Sequence, residues 1–223
     1  MSTSAFRYVV GIDMDGVVGD YEAFLRTVVA EELDIPETDI PLCNEWGFTN
    51  WPLRDLDHYY EMHLKAITEH SMFAHLTPYE NCSDALWRLN DAHDELRFRI
   101  VTHRYPAFSS PLLKEQAGII HAKITTDTVT WLQQLREDGR PLIPFHDLAI
   151  LGTTKADKAS VGCDIYIDDS PGNIQALRAA GNDAIIYSQE YNKALPGSRA
   201  DNWLEVEAII EAKLEEQRAF RAL

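Results

Sequence analysis

Cysteine is scarce: Cys43, Cys82 and Cys163 stand far apart in a chain of 223 residues. An odd count without CxxC spacing excludes a disulfide framework and a zinc knuckle, and suits reduced thiols. Basic charge is also short, with 20 Lys and Arg against 36 Asp and Glu, a net charge of −16. So acidic a chain repels a polyphosphate backbone, which argues against a nucleic acid polymer or an anionic membrane as partner. It leaves room for a small phosphate ester, because one metal ion and a few local cations can reverse the sign inside a cleft. Long apolar runs are missing, none approaching the roughly 18 residues of a membrane span. Residues 1–7 do not read as a secretory leader, since the apolar run at 8–12 is short and acids follow it at once. The expectation is a cytoplasmic protein with no membrane partner. The rest is ordinary: 45% apolar and 25% charged residues at this length build a large buried core and exclude disorder as the main state.

Strand-like and helix-like patterns alternate. Runs at 8–12, 98–102, 148–151, 164–167 and 184–187 read as buried strands. Between them, 83–92, 128–138 and 173–180 read as helices, the last closed by Gly181. Repeated strand–helix–strand order predicts a Rossmann-like α/β fold, a mostly parallel sheet flanked by helices. One interval breaks the rhythm, because about eighty residues separate the first two strands. Its helical patches at 21–32 and 55–69 predict a small helical cap at 20–77, inserted into a core of 1–19 and 78–223. Apolar spacing over 203–223 predicts a final helix, either docked on the core or offered to a second copy, so a homodimer stays open.

In open parallel sheets, ligands gather at the carboxyl ends of the strands. After the first predicted strand stand Asp13, Met14, Asp15 and Gly16. The second ends in Thr102, His103 and Arg104; the third leads toward Lys155 and Lys158; the fourth ends in Asp168 and Asp169. Carboxylates crowded on one edge repel one another unless a hard cation lies between them, and carboxylate oxygens with water and phosphate are how Mg2+ is held. A lysine and a threonine hydroxyl can take the remaining phosphate oxygens. A screened Asp can then attack phosphorus, and a second Asp two positions on can protonate the leaving oxygen. Gly16 permits the sharp exit that brings the second Asp round.

This ordered set, Asp13-Met14-Asp15-Gly16-Val17, Thr102, Lys158 and Asp168-Asp169, resembles the motifs of the haloacid dehalogenase (HAD) superfamily of phosphatases. A closer likeness is to its 5'(3')-deoxyribonucleotidase branch, where an aromatic, here Tyr21, follows the first motif. A lysine ten residues before the acidic pair fits that branch and selects Lys158 over Lys155. Thr102-His103-Arg104 departs from the Thr-Ser-Pro of the mammalian nucleotidases, and 199–203 looks like a closing segment found in relatives. The resemblance implies Asp13 as nucleophile and metal ligand, and Asp15 as general acid and base with its carbonyl on the metal. It also implies Thr102 and Lys158 as phosphate holders and Asp169 as a direct metal ligand. Asp168 binds through water or orients Lys158. The implied cofactor is Mg2+ and the implied activity is hydrolysis of a nucleoside monophosphate through an aspartyl-phosphate.

Other assignments have two readings. Trp46, Phe48, Trp51, Tyr59 and Tyr60 read as the core of the insert, unless the loop 46–51, which carries three of them, covers the active site; Tyr21, Phe48 and Trp51 are the candidates to stack a base. His103 and Arg104 either contact substrate or form a surface ion pair. A sugar phosphate or another small phosphorylated metabolite is the competing substrate class. A phosphate-accepting signalling module would need no acid two residues after its Asp and would be shorter.

Overall fold

The computed structural model describes residues 7–104, 111–152 and 155–221. Six strands form one parallel sheet: β1 (Tyr8–Ile12), β2 (Leu96–His103), β3 (Asp147–Leu151), β4 (Ile165–Asp168), β5 (Asp183–Tyr187) and β6 (Arg199–Ala200). Their order is β3-β2-β1-β4-β5-β6. The chain runs outward from β1 through β2 to β3, then returns to place β4 on the other side of β1. The switch point therefore falls between β1 and β4, where such sheets open a crevice. Register aligns the ends there, with Ile12 beside both Ile100 and Ile167, and the Asp13 N–H extends the ladder to the Ile167 carbonyl at 3.0 Å.

Alternation along the strands builds two apolar faces. Val10, Ile12, Phe98, Ile100, Ile165 and Ile167 pack with α4 (Cys82–Ala92), α5 (Pro111–Leu132) and α8 (Trp203–Arg221). On the other face Val101, Tyr166, Ala184 and Ile186 pack with Ile174 and Leu177 of α7 (Pro171–Ala179). The short helix α6 (Lys155–Ser160) precedes β4. Ser170 stands at the N-cap of α7 with Pro171 at its first position, a placement that suits proline's fixed φ and missing N–H.

The five sequence-predicted strands are present, and β6 is an addition too short to leave a pattern. The helix predicted at 128–138 is displaced. The long α5 ends at Leu132, and Gly139, at φ +77°, turns the chain so that the Arg136 N–H reaches the Arg140 carbonyl at 2.8 Å. The first half of α5, which meets α2 (Leu56–Thr68) and α3 (Met72–His75), escaped prediction because its apolar residues do not share one face: Ile119 is exposed while Ile120 and Ile124 are buried, so no single apolar stripe marks an amphipathic helix.

Between β1 and α4 lie α1 (Tyr21–Leu33), α2 and α3. Asp20 caps α1 by accepting the Ala23 N–H, and Asp55 caps α2 by accepting that of His58. The chain leaves and returns side by side: the Asp20 N–H bonds the Thr77 carbonyl at 2.8 Å and the Tyr79 N–H bonds the Val18 carbonyl at 2.9 Å. We propose 20–77 as the insert on that ground. Its last turn is nevertheless tied to the end of α5 and the residues just after it, where Trp131 Nε1 donates to the Leu76 carbonyl and Gln134 Nε2 to that of Ala74.

Candidate active site

The carboxyl ends of β1, β2 and β4 converge. Asp13 follows β1, Asp168 ends β4, and Asp169 comes next; one ligand oxygen from each lies within 4.8 Å of the others. All three residues are buried. Lys158, 1% exposed, reaches Asp13 Oδ2 at 3.1 Å and Asp168 Oδ2 at 2.5 Å. Asp168 is further fixed by the Ser170 N–H at 2.9 Å and by Asn173 Nδ2. Its place behind the cavity fits orientation of Lys158. Thr153, Thr154 and the side chain of Lys155 lie outside the described residues.

Three carboxylates facing one ammonium leave an excess of two negative charges if all are ionised, 3 − 1 = 2. Burial, then the charges of Asp168 and Asp13, hold the Asp169 carboxyl well above the ordinary range. Burial pushes Asp168 up to about 6 against the pull of Lys158. Burial opposes the charge on Lys158, yet Asp13 and Asp168 overcome it and raise its pKa. Buried oxygen donors with unbalanced negative charge suit a small hard divalent cation, so the residues present fit the magnesium that the sequence implies.

Gly16 shapes the neighbouring turn. Its φ is +77°, and a Cβ there would fall 2.3 Å from Asp169 Oδ2. Only glycine satisfies both the conformation and the space. The turn carries Asp15 to the cavity wall, where Arg104 grips both its oxygens, Nε to Oδ2 at 3.0 Å and Nη2 to Oδ1 at 2.5 Å. Burial raises the Asp15 pKa, while the charge and hydrogen bonds of Arg104 oppose the rise.

A cavity of about 770 Å³ opens over this edge. Asp13, Asp15, Thr102, His103, Asp169 and Asn173 line its polar end, and Trp46, Phe48, Leu53, Tyr59 and Tyr60 its apolar walls. A chamber of about 180 Å³ adjoins it, sharing Asp15, Phe48 and His103 and adding Tyr21 and His63. Thr102 Oγ1 is buried with no hydrogen-bond partner among the described residues. An orphaned hydroxyl on a cavity wall is a donor waiting for a ligand oxygen.

Two residues expected at the substrate, Arg104 and Trp51, lie outside these chambers. Arg104 lines neither chamber. It is 2% exposed, bonds Asp15 and Thr128, and lies 4.1 Å from the centroid of the Phe73 ring. The directional guanidinium is shared between Asp15 and Thr128, so it forms an ion pair, and a buried one. Trp51 is likewise buried at 3% and packs edge-on against Phe48, inside the insert. Phe48 and Tyr21 do face the chambers, as does His103. Tyr59, Tyr60 and Asn173 were not assigned to the wall by sequence, and Trp46 was read only as part of the covering loop. Asn173 could have been found, since the first turn of a helix opening at Ser170 must return to the acids before it.

Tyr21 anchors a neutral polar group in the smaller chamber. Its hydroxyl lies 3.0 Å from that of Tyr59 and 2.7 Å from His63 Nδ1. Burial, helped by the charge of Arg104, pushes the His63 pKa from 6.5 down to about 4. The unfolded chain therefore takes up a proton between those values that the folded chain refuses. The contribution of His63 to stability is complete above about 6.5 and is lost as pH falls toward about 4. His63→Gln, which keeps an acceptor for Tyr21, is expected to flatten this part of the pH dependence. Urea midpoints at pH 7, 5.5 and 4.5 check it, and parallel curves for both proteins would contradict it.

Comparison with known proteins agrees with this geometry. The family model for 5' nucleotidase, deoxy (pyrimidine), cytosolic type C proteins matches residues 7–215. A curated protein of Chlorobaculum tepidum, provisionally named 5'(3')-deoxyribonucleotidase, is 30% identical over 204 residues, covering 92% of this chain and 90% of its own. Among solved structures, a haloacid dehalogenase-like family hydrolase of Streptococcus pneumoniae superposes with a TM-score of 0.52 at 15% identity, over 92% of this chain and 98% of its own. That last likeness is one of fold. No helix among the described residues is long and apolar enough to cross a membrane.

Proposed function

Because the chain belongs to the cytosolic type C 5'-deoxynucleotidase family, and is thus a HAD-type phosphatase, we propose that it hydrolyses a (deoxy)ribonucleoside monophosphate with Mg2+ through an aspartyl-phosphate. The observation that carries this reading is one cavity with Asp13, Asp15 and the unpartnered Thr102 at one end and Trp46, Phe48, Tyr59 and Tyr60 along its walls. The polar end suits a phosphate, and the walls suit a flat apolar leaving group.

Asp13 Oδ2 attacks phosphorus, and the bond to the leaving oxygen breaks. Asp15 gives that oxygen its proton, then takes one from water as the hydroxide attacks phosphorus, freeing Asp13 and inorganic phosphate. Arg104 fixes the plane of the Asp15 carboxylate, so proton transfer needs little reorganisation. Thr102 and Lys158 donate to phosphate oxygens, where the negative charge spreads in the transition state. Asp13, Asp169 and the Asp15 carbonyl would hold the magnesium ion, with Asp168 behind them reaching it through water or orienting Lys158; when bound, the ion supplies the charge that lets a carboxylate approach phosphate.

A panel of nucleoside monophosphates and sugar phosphates, assayed for phosphate release with MgCl2 and with EDTA, tests the proposal. Base stacking is worth about 1–3 kcal/mol, so the preferred nucleotide should exceed every sugar phosphate in kcat/KM by about tenfold or more. Turnover of sugar phosphates with none of any nucleotide would overturn the substrate class. Turnover indifferent to EDTA would overturn the role of the metal.

A further inference from the structure

The segment after β5 carries no acid with an assigned role, yet three of its side chains grip the acidic motifs. Gln189 Nε2 donates to the Gly16 carbonyl at 2.7 Å, and Asn192 Nδ2 to the Asp169 carbonyl at 2.8 Å. The Tyr191 hydroxyl donates to Asp169 Oδ2. Arg199, from the closing segment seen in the sequence, locks this turn by donating to Asn192 Oδ1 at 2.9 Å, the Asn192 carbonyl at 2.8 Å and the Leu195 carbonyl at 3.0 Å. Gly16 lies against the same Asp169 oxygen that Tyr191 bonds. Oδ2 is thus boxed between backbone and phenol, which leaves the second oxygen of Asp169 for a ligand. Trp46, reaching over from the insert, packs edge-on against Tyr191 with ring centroids 5.3 Å apart.

We propose that Tyr191 is a positioning residue for Asp169, and that Trp46 seats Tyr191, so that divalent-ion affinity is coupled to the loop covering the active site. The inference rests on the reading of Asp13, Asp168 and Asp169 as a magnesium site. A carboxylate alone can rotate about its last bond, and a hydrogen bond to one oxygen fixes the plane in which the other meets an ion. Partners of this kind commonly change metal affinity by about 10- to 100-fold. Because Trp46 is 54% exposed at the cavity mouth, its removal opens no core cavity and acts only through what it touches.

Calorimetric titration of the full chain with MgCl2, for the parent, Tyr191→Phe and Trp46→Ala, tests this without recourse to turnover. Tyr191→Phe keeps the ring and removes only the hydroxyl. It is expected to bind Mg2+ about tenfold more weakly, with an unchanged metal-free melting temperature and a kcat that recovers at saturating Mg2+. Trp46→Ala is expected to fall between the two. Parent-like affinity in Tyr191→Phe would overturn the positioning role. Parent-like affinity in Trp46→Ala alone would overturn the coupling to the insert. A parent that binds no Mg2+ would overturn the metal site itself, and this inference with it.

Discussion

Asp13→Asn is expected to lower kcat by about 10⁴-fold or more, a loss of over ~5 kcal/mol of transition-state stabilisation. The amide oxygen still accepts the Met14 N–H that Asp13 Oδ1 takes at 2.8 Å, so the local backbone is kept. What disappears is the anion that attacks phosphorus. The fold should not suffer. Asp13 is one of three buried carboxylates facing a single lysine; burial is the main cause that raises the pKa values of Asp168 and Asp169, and removing the Asp13 charge relieves the repulsion that adds to it. The Lys158 contact to Asp13 Oδ2 at 3.1 Å is lost at the same time and offsets that relief, so the metal-free melting temperature is expected to hold. Single-turnover phosphate release and thermal unfolding check the two halves. Residual turnover within tenfold of the parent would refute the nucleophile, and a lower melting temperature would refute the electrostatic account.

Lys158→Met should, by contrast, lower stability. The methionine fills a similar volume but leaves Asp13 and Asp168 buried without their ammonium, at a site 1% exposed. Breaking a buried pair by removing one partner costs about 3–5 kcal/mol, and urea unfolding in EDTA should show a loss of that order. Added Mg2+ should return part of it, because an ion bound only by the folded state stabilises it by mass action. Turnover at saturating Mg2+ should still fall about 10²- to 10³-fold, as a preorganised donor to the transition state is gone. Metal-free stability within about 1 kcal/mol of the parent would mean that Lys158 is not the counter-ion of these acids.

Much of this site was visible before folding because its signals are local. Each acid proposed to react stands at or just after the end of an apolar run, and a run long enough to be a buried strand dictates where its last residue emerges. Asp13, Thr102 and Asp169 needed only that rule and the order of the motifs. The proposed insert at 20–77 starts from a local signal too, an interval too long for one crossover helix. Where prediction failed, a side chain's direction was at stake. Arg104 directly follows β2, two residues after Thr102, yet it turns inward because the Asp15 carboxylate, the Thr128 hydroxyl and the Phe73 ring offer its guanidinium three partners at once. Trp51 and Trp46 belong to the same aromatic loop, but one is buried and the other covers the cavity.

The sequence by itself determined the sheet, the identity of the acids and the kind of chemistry, since apolar periodicity and carboxylate spacing are properties of short segments. The tertiary structure alone decided which side chains share a wall, which acid is clamped by Arg104 and which is held by Tyr191. Those pairings join residues 22 to 89 positions apart, and only packing chooses among partners that the chain keeps so distant.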